Sequence, residues 1–179
     1  MRLKIAGALS ALTLMLSACD TYTSQQYQTS PQNVIELQQL SASGARASVG
    51  QVNLAENVEA RPQCRLAGPL DLGGGNNVAD TIKQAIQAEF LGGGLFSPNA
   101  KPINITVTQL KPDSFAGNWQ INFLVSSQSG RSFKVNSTTE FSTSFTAVSA
   151  CNNAATAFNR ALGEAINAMV SNPNFRALI

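Results

Sequence analysis

Apolar and polar positions alternate along this chain in two rhythms, and the rhythm changes at glycine and proline. Val78, Ile82, Ala85, Ile86 and Phe90 recur at helical spacing with Lys83, Gln84 and Gln87 on the other side, which predicts an amphipathic helix. Asn76 or Asn77 can cap its first turn, Asp80 complements its dipole, and Gly92-Gly93-Gly94 ends it. The period then drops to two. Ile103, Ile105 and Val107 alternate with Asn104, Thr106 and Thr108, and Trp119, Ile121, Phe123 and Val125 follow a Lys111-Pro112-Asp113 turn. Beyond Ser129-Gly130, Phe133, Val135, Phe141 and Phe145 share one parity with Ser137, Thr139 and Thr143. These runs predict an antiparallel meander. Its wet face would carry Lys134, Asn136, Thr138, Glu140, Ser142 and Ser144, with Asn122 and Asn104 from neighbouring strands. A last helix has Ala155, Phe158, Leu162, Ile166, Met169 and Val170 as its stripe, Ser149 or Asn152 as its cap and Asn172-Pro173 as its stop. Phe175, Leu178 and Ile179 form a terminal apolar patch able to fold back.

The first part of the chain is less regular. Val49, Val52 and Leu54 suggest a strand, and the prolines in the run Pro62 to Leu72 forbid a regular helix there. Residues 20–45 are rich in Ser, Thr and Gln, a composition that buries too little apolar surface to offset its ordering entropy, so a flexible tether is expected. Val34, Ile35, Leu37 and Leu40 are the exception, enough for a short helical turn that docks on the domain or on a partner. The expected fold is therefore one domain over residues 46–179: an α+β two-layer sandwich with a mostly antiparallel sheet of about four strands and two helices on one face.

The extreme amino terminus follows another logic. Arg2 and Lys4 precede an apolar run from Ile5 to Leu16, and the small residues Ser17 and Ala18 precede Cys19, the layout of an export signal over residues 1–18. The run is too short to span a hydrocarbon core, which takes about 20 apolar residues. Leu16-Ser17-Ala18-Cys19 resembles the lipobox of bacterial lipoproteins. That resemblance implies cleavage before Cys19, a diacylglycerol on its sulfur, usually a third acyl chain on its nitrogen, and lasting attachment to a membrane. Asp20 resembles the inner-membrane retention signal of enteric lipoproteins, although other lineages read this position differently, so the choice of membrane stays open.

Composition narrows the chemistry. The 179 residues contain no histidine, which excludes Ser-His-Asp and Cys-His catalysis and the commonest metal sites. Arg2 and Lys4 account for the whole formal excess of +2, and a neutral mature chain argues against nucleic-acid binding. With Cys19 modified, Cys64 and Cys151 remain, and in an exported chain such a pair reads as one disulfide. In the chain-entropy account a loop this long would stabilise the fold by roughly 4 to 5 kcal/mol.

No catalytic constellation stands out, and no cofactor or metal is implied. Asp71, Asp80, Asp113, Glu89, Glu140 and Glu164 are scattered and read as surface charges or caps. Arg61 and Arg65 flank Cys64 and could grip a carboxylate or phosphate, but read first as a solvated pair. The glycine triplets lack the GxxxxGK[ST] and GxGxxG spacings and read as helix boundaries. Trp119 reads as core.

From Val78 to Val170 the order of elements, with Gly94-Leu95-Phe96 after one helix and Asn172-Pro173-Asn174-Phe175 after the other, is similar to that of YajG-type lipoproteins. The auxiliary lipoproteins of ABC-type lipid transporters and the amino-terminal domain of TolB share this resemblance. It implies architecture and no functional residue. The expectation is a non-enzymatic, lipid-anchored accessory protein of the cell envelope, facing the periplasm, that holds a transport, secretion or assembly partner. The alternative is a binding module for a lipid, glycan or peptidoglycan fragment, in a cleft lined by Phe133, Phe141 or Trp119.

Overall fold

The structure is a computed structural model that describes residues 21–179, so the lipobox and Cys19 lie outside the described residues. The chain runs β1 (Tyr22–Thr23), α1 (Pro31–Ala42), β2 (Ser48–Leu54), β3 (Gln63–Cys64), β4 (Gly68–Asp71), α2 (Val78–Gly92), β5 (Pro102–Asp113), β6 (Asn118–Ser127), β7 (Ser132–Glu140) and α3 (Ala147–Val170). This is an α+β fold.

The main sheet has the order β2-β5-β6-β7. Strands β5 to β7 form the antiparallel meander that the alternating residues dictate, with Val107 opposite Phe123 and Phe123 opposite Val135. Edge strand β2 runs parallel to β5, a pairing that needs a crossover, and α2 lies in that connection. Ile103, Ile105, Trp119, Ile121, Phe123, Val125 and Val135 turn to one face and are buried. Against them pack Ile82, Ile86 and Phe90 of α2 and Phe158, Leu162 and Ile166 of α3. Trp119 is wholly buried as core, its ring centroid 5.5 Å from that of Phe158, and its indole Nε1 donates to the Ala154 carbonyl at 2.8 Å. The polar end of the indole is thereby satisfied inside the core.

Three expectations need correction. Residues 20–45 were expected to form a tether broken only by a short docking turn at Val34 to Leu40; that turn does dock on the domain, but as part of a longer helix, and from Tyr22 onward the flanking residues belong to the domain as well. Pro31 pre-sets the first turn of α1, a helix of 12 residues that packs on α2 and α3 as a third layer and buries Leu37 completely. The approach to α2 is close: a Cβ on Gly93 would stand 2.2 Å from that of Leu37, so only glycine fits. Upstream, Tyr22 pairs in parallel with Leu70, and β1 joins β4 and β3 in a second, three-stranded sheet. The composition argument failed because long-range contacts hold this segment.

The second correction concerns Phe141 and Phe145, expected to continue the buried parity of β7. Register pairing runs to Asn118 opposite Glu140, one more backbone bond joins the Phe141 amide to the Gly117 carbonyl at 2.7 Å, and beyond it the chain leaves the sheet. Phe145 is fully exposed, Phe141 is half-buried, and Ser142 and Ser144 lie beyond the sheet face on which they were expected. Third, α3 starts earlier than expected, capped by Thr146, whose Oγ1 accepts from the Ser149 amide at 3.3 Å, and not by Ser149 or Asn152. Asn77 caps α2, accepting from the Ala79 amide at 2.9 Å. Phe175 and Leu178 do fold back, and the Phe175 ring meets Phe90 edge to face at 6.0 Å.

If α1 belongs to the core, Leu37→Ala removes buried methyl groups and leaves a cavity. Urea unfolding should show a loss of about 2 to 5 kcal/mol. A midpoint unchanged from wild type would return this segment to the status of a tether.

Candidate functional site

Cys64 and Cys151 are bonded, with S–S at 2.11 Å and Cα atoms 5.8 Å apart. The bridge ties the short hairpin of β3 and β4 to the start of α3, across 87 residues of sequence.

Most carboxylates serve local structure. Asp71 accepts from the Gly73 and Gly75 amides at 3.1 and 2.8 Å, and Asp113 accepts from those of Phe115 and Ala116 at 3.0 and 2.8 Å. Asp80 sits in the first turn of α2, and Glu140 is exposed on β7. Glu164 pairs with Arg160 at 3.1 Å on the surface of α3 and accepts from the Thr139 hydroxyl. Among the described residues no three His, Cys, Asp or Glu side chains gather as metal ligands would.

Glu89 departs from the reading as a surface charge. It is completely buried, and its Oε1 accepts three hydrogen bonds: from Tyr27 Oη at 2.6 Å, the Ser30 amide at 2.8 Å and Asn33 Nδ2 at 3.2 Å. Asn33 Nδ2 also donates to the Gly163 carbonyl at 2.9 Å, so one amide links α1, α2 and α3. Burial and the adjoining Glu89 carboxylate push the Tyr27 phenol far above its ordinary range. The sequence held a cue to this cluster, because Glu89 lies on the helical stripe of Ile82, Ala85, Ile86 and Phe90. A carboxylate on a buried stripe demands donors, and here they arrive from a segment with no strong pattern of its own.

Above this cluster opens a cleft of about 750 Å³ between residues 28–33, the outer edge of β7 and α3. Amides and hydroxyls line it, including Gln32, Asn136, Thr138 and Asn159, and its ionic groups are Arg160 and Glu164, which pair with each other. Asn33 Oδ1 and Asn167 Nδ2, both lining residues, are buried without a hydrogen-bond partner. No aromatic ring lines it. The aromatic cleft expected from Phe133, Phe141 and Trp119 does not form, since Trp119 and Phe133 are core residues.

The open sheet face carries Lys134, Asn136, Thr138 and Asn122 as expected, along with a run of linked amides. Gln109 Nε2 donates to Gln120 Oε1 at 2.5 Å, Asn122 Nδ2 donates to Gln109 Oε1 at 2.6 Å, and Asn122 Oδ1 accepts from the Ser137 amide at 3.3 Å. Arg61 is exposed. Arg65 is half-buried and forms no solvated pair with it, being taken up by the protein's own backbone. Its guanidinium donates to the carbonyls of Ser114, Ser144 and Phe145 at 2.8, 3.0 and 3.3 Å.

No protein-family model matches the chain, and no curated protein matches it in sequence.

The raised Tyr27 pKa fixes the sign of an alkaline effect. The folded state holds the phenolic proton more tightly than the unfolded chain, whose tyrosine titrates near 10, so this stability is present in full below pH ~10 and is lost as pH rises above it. Tyr27→Phe should flatten the fall in stability above pH ~10, while lowering stability at neutral pH by about 1 to 3 kcal/mol through the lost donor to Glu89. Urea midpoints across pH would read both effects, and an unchanged alkaline slope would refute the assignment.

Proposed function

We propose that this chain is a lipid-anchored, non-enzymatic protein of the bacterial cell envelope, facing the periplasm, that holds or assists a membrane or periplasmic protein complex in transport, secretion or envelope assembly. The observation that carries the reading is the lipobox at Leu16-Ser17-Ala18-Cys19 in a chain whose remaining cysteines are joined to each other, as suits an oxidising compartment. Among the described residues no helix is long and apolar enough to cross a membrane, so attachment in this reading falls to acyl chains on Cys19. Asp20 favours the inner membrane by resemblance to enteric lipoproteins.

The partner surface in this reading is the open sheet face around Gln109, Asn122 and Asn136. It is wet and almost uncharged, and protein interfaces of the non-obligate kind need no more apolar surface than the rest of a protein. With β1 beginning at Tyr22, no long tether lifts the domain away from its anchor.

The amide-lined cleft over Glu89 supports a second reading, a binding module for a glycan or peptidoglycan fragment. The exposed Asn136 amide and Thr138 hydroxyl that line it offer donors and acceptors to a hydroxylated ligand there. The same cleft gives no support to an acyl-chain ligand, because it lacks apolar lining.

Labelling of growing cells with a radioactive fatty acid should mark the wild-type protein, and Cys19→Ala should abolish the label and free the protein from membranes. An unlabelled wild type sinks the lipoprotein reading. Asn136→Lys should leave the urea midpoint within about 0.5 kcal/mol of wild type, as an exposed substitution does, while reducing recovery of complexes from gently solubilised membranes. Equal recovery would move the partner off the sheet face.

A further inference from the structure

Three loops meet at one end of the molecule: the β3–β4 turn, the β5–β6 turn and the segment from β7 to α3. Each carries a large apolar side chain in solvent. Leu66 and Phe145 are as exposed as in an extended chain, at 105% and 102%, and Phe115 is 75% exposed. Val148, in the first turn of α3 beside them, is half exposed. Apolar tips on floppy loops would mean little, but these loops are braced. Arg65 donates from Nε to Ser114 Oγ at 3.2 Å and from its terminal nitrogens to the carbonyls of Ser114, Ser144 and Phe145, while its guanidinium carbon lies 4.4 Å from the centre of the Phe115 ring. To do this Arg65 sits at φ 52°, a left-handed backbone that a non-glycine side chain adopts only when its surroundings compel it. The Cys64–Cys151 bridge fixes the same hairpin to α3. The end is therefore a rigid platform that holds apolar side chains outward, against the ordinary preference of such groups for the interior.

The first described strand starts close to this end: Tyr22 pairs in parallel with Leu70 of β4, and Gly68, the first residue of β4, pairs with Cys64 across the turn that carries Leu66. Only Asp20 and Thr21 separate Cys19 from Tyr22, and three peptide steps reach at most about 11 Å. From the lipid-anchor reading proposed above, on which this inference rests, we infer that Leu66, Phe115 and Phe145 enter the interfacial layer of the bilayer and seat the domain on the membrane in one orientation. The occupant is a lipid surface because the anchor leaves these side chains no room to be far from one. In this pose α3 rises from the membrane. Its 24 residues put the opposite end of the molecule, with the β6–β7 turn, roughly 36 Å away.

The acylated full-length protein, reconstituted in vesicles of phosphatidylethanolamine and phosphatidylglycerol with or without brominated acyl chains, provides the test. Phe145→Trp and Phe115→Trp place an indole at two tips, and Leu91→Trp places one in the exposed last turn of α2, far from the platform. With the emission of buried Trp119 subtracted, brominated lipid should quench the indoles at positions 145 and 115 at least twofold and leave that at position 91 unchanged. Mass spectrometry of the amino-terminal peptide from the same sample reports the acyl chains. Acylated protein with both tip indoles unquenched and open to acrylamide overturns the seating while the anchor stands. Protein without acyl chains overturns the anchor, and the seating with it. Equal quenching at all three positions overturns the single orientation.

Discussion

A carboxylate buried with no cation beside it among the described residues constrains this fold more than its other polar groups do. Glu89 lies on the inward stripe of α2, where it is removed from water, and a bare carboxylate there would cost several kcal/mol. Its donors are a phenol, a backbone amide and an asparagine amide, and all three come from residues 27–33. The segment is therefore held by the needs of the core as well as by its own apolar surface. Once Asn33 is placed, α1 is aligned, Leu37 drops onto Gly93, and the Gly163 carbonyl of α3 gains a donor. Removing one member would cost the others a partner in a low-dielectric interior, where Glu89 Oε2 and Asn33 Oδ1 already have none.

At the other end of the molecule, order comes from covalent and cationic links. There the disulfide and Arg65 substitute for hydrophobic packing and leave apolar side chains free to face outward. The two ends thus treat polarity in opposite ways: one buries a charged group among amides, and the other exposes leucine and phenylalanine on a polar frame. The open sheet face is intermediate, with amides that hydrogen-bond mostly to one another.

How far the sequence disclosed this depends on the range of the contacts involved. The meander, α2 and α3 were legible because each burial pattern repeats within its own element, and Asn77 was legible as a cap because capping is local. The parallel placement of β2 left no local trace. Helix α1 was legible only as a short docking turn at Val34 to Leu40, and its full extent was not, because few apolar residues mark it and its decisive partner, Glu89, is more than fifty residues away. Phe145 was misread because alternation says nothing of where a neighbouring strand stops. Arg65 and the platform it braces depend on three loops converging, and Glu89 reads as a surface charge in sequence because its donors come from a distant segment, although it lies on a buried stripe.

The sequence distance between partners also sets a timetable. A ribosome delivers residues 21–33 early, yet what they bind comes late: β1 needs Leu70, Tyr27 needs Glu89, the Gln25 and Gln26 carbonyls need Asn159, and Asn33 needs Gly163. Apart from the first turn of α1, where the Ser30 carbonyl accepts from the Val34 amide at 3.0 Å, the partners named here are distant, so the earliest described residues are among the last to settle. The amino-terminal segment acts as a clasp that closes after the rest of the chain has been made.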